Sequence, residues 1–560
     1  MVPALEGQDP LGLQLRVTAR LGSDLLHCIT SITPRSRYYS LLPWIILYAQ
    51  EHFPGKILRE AVKKIEKAFT TGCLLNHDGK ACSGGGLVGS DVLRPWFDDG
   101  HLPETWKSAP FAVNPALDAY YTSLVNFHLF VGQKQENLDI DIEETAWDGV
   151  HELTEIGQKL VSSYKNAIEG IENHIDIEAS EQPKLNKLKL WGEQGGLCEL
   201  RWDAPDRQPL EDLFFNRVGL PENAHMHRRD SLLLLIYLTE IFRNHGIDLN
   251  AVTLCMASYY KSIRNQRGEI SKIHIPDALL DSFYRWRMFY HHRYLSYALE
   301  YLFSNTVNEA NRDCLNGIFI EQWMSEWSSP LVTAKIYELL GLENDADVLT
   351  RTPRELFKAI GVDIKTADRE GGIVLDRLLG LNHDLSEHAL YELLRQKTMA
   401  YTHESCILST LMCVLTVMRY QRWHASDYGN WLAQSTRNVP YENVTVPVIS
   451  ENWKARFGDF WNTPLLRLAQ NLIQRYVIRL HLTLAYQKSG AHFYLDEDRI
   501  IGRDKHFGSP QLTNPRLSSA LQILWDLGLL EDDPDNESVR RLTKKGKAIL
   551  IEFVGSEIEE

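Results

Sequence analysis

The stretch NPRLSSALQILWDLGLLEDDPDNESVRRLTKKGKAILIEF, residues 514–553, predicts a helix, a hairpin and a second helix. We expect the first helix over about 516–527, with Gly528 at its exit. The acidic, proline-containing turn 531–537 separates two short strands, and a helix follows over 544–553. This order is typical of a winged helix. The residues predicted to supply its core are Leu521, Ile523, Leu524, Leu527, Leu529 and Leu530.

A weaker version of the same pattern lies in the N-terminal third. In residues 113–164 a predicted helix again precedes a short polar segment. The stretch ELTEIGQKL (152–160) then matches RLTKKGKAI (541–549) at the Leu-Thr, Gly and following basic positions. In each segment the threonine can cap the closing helix. The sequence therefore predicts two winged helices that flank a helical middle.

Helical periodicity covers most of the remaining chain. In ILREAVKKIEKAF (57–69) apolar residues recur every three or four positions. Similar patterns run through 228–246, where Asp230 and Ser231 favour a helix start and Gly246 an end, and through 284–303 and 464–488. We predict a mostly α, multi-domain protein with winged-helix (α+β) modules near the N-terminal third and at the C-terminus.

Polar, proline-containing stretches suggest four consecutive segments. We expect an N-terminal helical domain with a candidate winged helix over 1–177 and a helical middle domain over 188–345. A second helical segment follows over 346–440, and a long helix precedes the C-terminal winged helix within 441–560.

Composition narrows the class of protein. The 560 residues are 44% hydrophobic and 24% charged, which is typical of a globular chain. A net charge of −15 argues against a strongly basic nucleic-acid binder, so any DNA contact must be local. Eight scattered cysteines, with no secretory leader, favour reduced thiols and a cytoplasmic location. The apolar runs are too short to span a bilayer, and we expect neither membrane binding nor a cofactor.

One short motif partly matches a phosphate loop and another partly matches a metal site, but each lacks a residue that such a site requires. Gly84 and Gly89 have the glycine spacing of a phosphate loop, but Ser90 stands where the lysine is needed, which favours a plain loop. Cys73, His77 and Cys82 lie close in sequence, yet a structural zinc site needs four ligands. We predict no metal site.

Three further patterns are weak candidates for a nuclease. The pairs Arg419 with His424 and Arg287 with His292 have the R-x4-H spacing of helical ribonucleases, in which a histidine acts as a base beside a phosphate-binding arginine. Asp363 and Lys365, with Asp345 or Asp347, fit the acidic pattern of metal-dependent nucleases only loosely. The acidic cluster 495–499 favours a solvated loop. We assign no catalytic residue and favour the hypothesis that the protein is not an enzyme.

The predicted binding residues are basic. Arg540, Arg541, Lys544, Lys545 and Lys547 surround the C-terminal wing, where they can contact phosphates or a protein partner. The acidic turn beside them favours protein over DNA.

Arg35 and Arg37 form the second candidate site. They precede an aromatic block in TPRSRYYSLLPWIIL (33–47), where Pro34 suits a first helical turn. Cations at a helix start need a partner. These arginines either pair with internal carboxylates or bind an anionic ligand or a partner chain.

The stretches 9–50, 477–488 and 516–530 resemble uncharacterised bacterial proteins encoded in anti-phage and anti-plasmid defence islands. The arrangement of winged helices near both ends also resembles kleisin-like accessory subunits of SMC-type, Lamassu-like defence systems. This resemblance implies a non-enzymatic scaffold or sensor subunit whose partners are an SMC-like ATPase or a nuclease, with double-stranded DNA as a further candidate. The alternatives are a helical RNase-like nuclease effector and a DNA-binding winged-helix regulator.

Overall fold

The computed structural model is mostly helical, as the sequence predicts. It describes residues 9–13, 17–54, 57–80, 84–97, 111–131, 151–171, 185–264, 270–312, 316–340, 343, 347–359, 386–396, 403–423, 431, 444–488, 490–503, 508 and 510–555. Within this part of the chain, no helix is both long enough and apolar enough to cross a lipid bilayer.

The chain divides into two compact units, each assembled from separated segments. Unit 1 comprises residues 1–22, 251–275 and 283–513, and unit 2 comprises residues 23–250, 276–282 and 514–560. The division into four consecutive segments stays a prediction from the sequence. Polar stretches mark places where the chain can turn, whereas long-range packing decides which segments share a core.

Unit 2 contains the two segments predicted as winged helices. The helix α1 (Ala19–Leu25) leads into it. Its other helices and strands are α2 (Tyr38–His52), α3 (Leu58–Asn76), α4 (Ser90–Leu93), α5 (Ala116–Asn126), α6 (Glu155–Ala167), α7 (Leu185–Gly195), α8 (Arg207–Phe214), α9 (Asn223–Asn244), and, near the C-terminus, a helix (Leu517–Asp526), two strands (Leu530–Asp533 and Asn536–Leu542) and a last helix (Lys544–Val554).

Unit 1 contains most of the longest described helix. Its helices are α10 (Ala251–Tyr260), α11 (Leu280–Arg312, which begins in unit 2), α12 (Ile320–Glu326), α13 (Pro330–Leu340), α14 (Pro353–Ala359), α15 (Ser386–Arg395), α16 (His403–Trp423), α17 (Val446–Phe457), α18 (Leu465–Asn471) and α19 (Leu480–Lys488). Its strands are β1 (Ser262–Arg264), β2 (Ile270–Lys272), β3 (Ile318–Phe319), β4 (Phe493–Asp496) and β5 (Arg499–Gly502). The C-terminal elements of unit 2 are accordingly α20, β6, β7 and α21.

The described strands form three small antiparallel sheets. β1 pairs with β2, and β6 pairs with β7. The third sheet has the strand order β3-β5-β4, with Ile500 of β5 opposite both Ile318 of β3 and Leu495 of β4. The acidic cluster at 495–499 spans the end of β4, the turn at 497–498 and the first residue of β5, and Asp496 pairs with Arg499 at 2.8 Å. Residues 495–498 are exposed, so the cluster is solvated, although only its centre is a loop.

The predicted helices form, with differences at their ends. α9 begins at Asn223, so Asp230 and Ser231 lie inside the helix rather than at its start, while Gly246 follows its end at a φ of 70°. α2 begins at Tyr38, four residues after Pro34. Between α18 and α19 the residues Leu472–Arg479 form a π-helix that the periodicity did not predict.

The C-terminal module has the predicted order of helix, hairpin and helix. In α20, β6, β7 and α21, Leu530 pairs with Leu542, and the hydroxyl of Thr543 caps α21 by accepting a hydrogen bond from the Gly546 amide at 3.1 Å. The same hydroxyl donates to the Gly528 carbonyl at 2.8 Å. Local capping chemistry therefore closes the module.

The N-terminal segment repeats this closure. After α5, Phe130 bridges to Leu153, and the Thr154 hydroxyl accepts from the Gly157 amide at 3.2 Å and donates to the His128 carbonyl at 2.6 Å. A Cβ atom on Gly157 would lie 2.3 Å from the Leu129 carbonyl oxygen. A Cβ atom on Gly546 would lie equally close to the Leu529 carbonyl oxygen. The two modules thus share a threonine cap and a glycine contact.

Candidate functional site

Arg35 lies fully buried inside unit 2. Its Nε donates to Asp526 Oδ2 at 2.9 Å, and its Nη1 donates to the Gly85 carbonyl at 2.6 Å. The Ser36 amide donates to the same Asp526 oxygen at 3.0 Å. Burial raises the pKa of Asp526, although Arg35 and its other donors oppose this shift. Arg35 therefore joins the start of α2 to the C-terminal module.

Arg37 is also fully buried and forms a two-pronged contact with Asp206. Its Nε and Nη2 donate to the two carboxylate oxygens at 3.1 and 3.0 Å, and its Nη1 donates to the Gly196 carbonyl at 2.7 Å. The Ser40 hydroxyl donates to Asp206 at 2.7 Å. Parallel Arg–carboxylate bonds of this kind are strong and directional.

Of the two interpretations of these arginines, the structure shows pairing with internal carboxylates. Neither guanidinium faces solvent in this conformation. An external anion or partner chain could reach them only if the core of unit 2 opened.

Most of the basic residues around the C-terminal hairpin are paired with carboxylates. Arg540 lies 3.8 Å from Asp248, Arg541 lies 2.8 Å from Glu531, Lys545 lies 2.6 Å from Glu211, and Lys547 lies 3.4 Å from Glu240. Lys544 is exposed and has no ion pair among the described residues. The segment 530–542 contains five acidic residues and two arginines, a formal charge of −3. The local field therefore opposes phosphate binding.

The helix of the C-terminal module that would enter a DNA groove faces inward. In α20 the side chain of Ser518 is exposed and those of Gln522 and Trp525 are partly buried, whereas the remaining residues of the helix are buried. A recognition helix needs an accessible face. α20 lacks one in this structure.

In the first ribonuclease-like pair, Arg419 binds a buried carboxylate. Its Nε and Nη2 donate to the two oxygens of Glu387 at 2.6 and 2.8 Å, and the Tyr260 hydroxyl donates to Glu387 Oε2 at 2.6 Å. All three side chains are buried. His424 lies outside the described residues. Arg419 is thus committed to a core carboxylate rather than to a phosphate.

The second pair is buried in α11. Arg287 Nε donates to the Ser258 carbonyl at 3.2 Å, and His292 Nδ1 bonds to the Met288 carbonyl at 3.0 Å. Burial lowers the pKa of His292 to about 4. Both residues are less than 5% exposed, so a substrate has no access to them.

The glycine-rich loop packs on Arg35 instead of cradling a phosphate. Gly84, Gly85, Gly86 and Gly89 all have positive φ. A Cβ atom on Gly86 would lie 2.9 Å from the Arg35 side chain. The loop thus covers the buried ion pair.

Other weak motifs gain no support as sites. Cys73 is buried and His77 partly exposed, while Cys82, Asp345, Asp363 and Lys365 lie outside the described residues. Asp347 accepts the Leu349 amide at 3.0 Å, as a turn-forming aspartate does. Cys198 is disulfide-bonded, which departs from the expectation of reduced thiols. The free cysteines that the structure describes are all buried: Cys28, Cys73, Cys255, Cys406 and Cys413.

The structure brings together a histidine cluster that sequence reasoning missed. His225 lies in the first turn of α9, Glu222 occupies the N-cap position of that helix, and His128 follows α5. Glu222 Oε1 lies 2.8 Å from His128 Nε2, and its Oε2 lies 3.2 Å from His225 Nε2. The ring of His27 meets that of His225 at 4.7 Å between centroids. The E-x-x-H spacing was the local signal, and nothing local pointed to His128.

A buried cation lies behind this cluster. Arg228 donates to the carbonyl oxygens of Phe214 and Leu213 at 3.1 and 2.9 Å and to Nδ1 of His225 at 2.7 Å. Its guanidinium also lies 4.4 Å from the ring centroid of Phe127. Burial lowers the pKa of Arg228 to about 10. Burial and the neighbouring Arg228 likewise lower the pKa of His225 to about 2.

One aromatic surface of unit 2 is exposed next to the C-terminal module. Trp202 is 71% exposed, and the guanidinium of Arg201 lies 4.9 Å from its ring centroid and 3.8 Å from that of Trp525. Burial lowers the pKa of Arg201, while the carboxylates of Asp532 and Glu531 in the acidic hairpin oppose that shift. We call Arg201, Trp202 and Trp525 the tryptophan surface.

Comparison with known proteins returned no relative. No family model, no curated protein and no solved structure matches the chain.

Proposed function

We propose that this protein is a non-enzymatic scaffold or sensor subunit that binds a protein partner through the tryptophan surface. The observation that carries this proposal is the exposure of Trp202 at 71% beside the C-terminal module. Tryptophan and arginine are the residue types that most often dominate the energy of protein interfaces. Stacking on Arg201 holds the indole in place, so less entropy is lost when a partner covers it.

The chemistry around the surface favours a basic partner. Asp203, Glu531 and Asp532 border or approach it, and the hairpin carries a net negative charge. A lysine or arginine from a partner could contact the indole face and would be attracted by the net negative charge of the hairpin. The same charge repels DNA, so protein is the partner that we propose.

The biological setting that we propose comes from the resemblance of the terminal stretches to proteins of bacterial defence islands. We propose that the partner is an SMC-like ATPase or a nuclease of a bacterial defence complex, and that the C-terminal module is a winged helix that docks on protein. A kleisin-like bridge would need its two terminal modules to separate. Here both belong to unit 2, and Arg35 joins α2 to Asp526 at 2.9 Å. We therefore propose docking on one partner rather than bridging two.

The test is affinity purification of the tagged protein from its native operon, followed by reconstitution with each purified partner. Trp202→Ala should weaken partner binding at least about tenfold, as expected for loss of an interface anchor. Leu331→Ala removes another exposed apolar side chain, 85% exposed in unit 1, and should leave binding unchanged.

Two results would contradict the proposal. One is wild-type binding by the Trp202→Ala variant. The other is a wild-type protein that elutes alone and cleaves RNA or DNA, which would favour a nuclease.

A further inference from the structure

We infer that His128, Glu222 and His225 form a binding site for a divalent transition metal ion, with zinc as the best match. Two imidazoles and one carboxylate are ligands that zinc accepts, and a set of three leaves a fourth position for water. The ligand atoms all lie within 4.8 Å of one another. Zinc ligands at about 2.0–2.1 Å from the ion lie about 3.4 Å apart, so side-chain shifts on the order of 1 Å would close the site.

An unsatisfied atom points to a ligand. His225 is fully buried, and its Nε2 makes no hydrogen bond of acceptable geometry with any residue in the described part of the chain. Buried polar atoms are normally paired. Nε2 lies 3.2 Å from Glu222 Oε2, so an ion bound there would engage both groups.

The site has an entry path and a helical frame. Glu222 and His128 are 46% and 41% exposed, while His225 closes the inner side. Glu222 and His225 are three residues apart at the start of α9, so the helix fixes their spacing. His128 comes from the turn after α5, where its φ is 54°. Two elements of unit 2 thus converge on one point.

Access from solvent favours this set over an inner group that shares His225. His27, Cys28 and His225 form that second group of potential ligands. Cys28 is only 6% exposed, whereas His128 and Glu222 are 41% and 46% exposed. An ion from solvent therefore reaches His128 and Glu222 first.

Arg228 is the group that must adjust. It donates to His225 Nδ1 at 2.7 Å, whereas a neutral imidazole that binds metal through Nε2 carries its proton on Nδ1. Arg228 also donates to the carbonyls of Phe214 and Leu213, so it keeps acceptors when it releases the imidazole. Glu222 supplies the negative charge that offsets the added cation.

The experiment uses full-length, tag-free protein stripped with a chelator. Equilibrium dialysis against zinc should show one ion per chain. Glu222→Gln and His128→Ala change accessible side chains and should each weaken binding at least about tenfold, since a ligand matters no less than the outer-shell groups whose loss costs that much.

The controls are matched to the ligands. His227→Ala removes a neighbouring imidazole that pairs with Asp24 at 2.9 Å, and Cys28→Ser tests the inner group; both should bind like wild type. Circular dichroism checks that each variant is folded. Cobalt should give a spectrum without a thiolate charge-transfer band.

Three outcomes overturn the inference. Absence of stoichiometric zinc means that Glu222 contacts the two histidines without holding an ion. Wild-type affinity in folded Glu222→Gln and His128→Ala variants removes these residues from the site. A thiolate–cobalt band that Cys28→Ser abolishes assigns any bound ion to the inner group.

Discussion

At the scale of single residues, the arginines of the stretch 33–47 are structural. Arg37 and Asp206 have fully buried side chains that share two hydrogen bonds. Removal of one partner leaves the other charge buried without compensation. Loss of either partner should therefore destabilise the folded protein.

We predict that Arg37→Ala lowers the free energy of unfolding by about 3–5 kcal/mol, because Asp206 would stay buried and unpaired. Urea unfolding followed by fluorescence measures the change. Arg354→Ala is the control, since Arg354 and Asp459 lie 3.4 Å apart with side chains 46% and 49% exposed. It should cost less than about 1 kcal/mol. Equal effects of the two substitutions would show that the buried pair has no special weight.

The sequence alone leaves two alternatives for this site. Arg35 and Arg37 precede a buried aromatic helix, and their charge requires a partner. Asp526 and Asp206 lie 491 and 169 residues away along the chain, so no local pattern indicates them.

At the scale of elements, one helix crossing depends on two glycines. A Cβ atom on Gly192 of α7 would lie 2.1 Å from the Gly72 carbonyl oxygen of α3. A Cβ atom on Gly72 would lie 2.3 Å from the Leu188 carbonyl oxygen. The two backbones are therefore in direct contact, and a methyl group at either position would force the helices apart.

We predict that Gly192→Ala destabilises the protein by about 1–3 kcal/mol despite the better helix propensity of alanine, because overpacking outweighs propensity. Thermal unfolding monitored by circular dichroism measures the effect. Gln194→Ala changes an exposed position of the same helix and should stay within about 0.5 kcal/mol of wild type. A Gly192→Ala variant as stable as wild type would mean that α3 and α7 are not closely packed.

The closing turns of the two modules show what local sequence can predict. The match of ELTEIGQKL with RLTKKGKAI predicted a threonine cap in both, and Thr154 and Thr543 do cap α6 and α21. Capping acts over three residues, so it is written in the local sequence. The inward orientation of α20 brings Asp526 into contact with Arg35 and Ser36, and no local pattern encodes these contacts.

At the scale of the whole molecule, buried neutral histidines make stability depend on pH. Burial lowers the pKa of His291 to about 3 and those of His292 and His481 to about 4. His481 Nδ1 bonds to the Pro10 carbonyl at 3.1 Å, and its Nε2 accepts the His492 amide at 3.0 Å, an arrangement that only the neutral ring can satisfy. In the unfolded chain these rings titrate near pH 6.5.

We predict that stability falls as the pH drops from about 6.5 to about 4, because in this range the unfolded chain binds protons that the folded protein excludes. Buried Glu66 acts oppositely, since burial raises its pKa from 4.5 to about 8 and stability is lost as the pH rises through that range. Below pH 6.5 the loss of stability from the three histidines exceeds the gain from Glu66. Above pH 7 the histidines contribute little, and Glu66 lowers the stability as the pH rises. Among these groups, stability is therefore greatest near pH 6.5–7.

Urea midpoints measured from pH 4.5 to pH 8 test this profile. His292→Phe keeps the size of the side chain and removes one titrating group, so it should reduce the slope below pH 6.5 by about one proton. A profile without a decline on the acid side, or an unchanged slope in His292→Phe, would contradict the assignment of neutral buried histidines.

The sequence by itself determined the helical class, the amphipathic helices, the order of the C-terminal module and the threonine caps, because periodicity and capping act between residues a few positions apart. Tertiary structure alone decided which carboxylates meet Arg35 and Arg37 and how separated segments assemble into two units. It also decided that His128 meets Glu222 and His225. These contacts join residues that are distant along the chain. They arise from burial and long-range packing, which leave no mark in any short stretch of sequence.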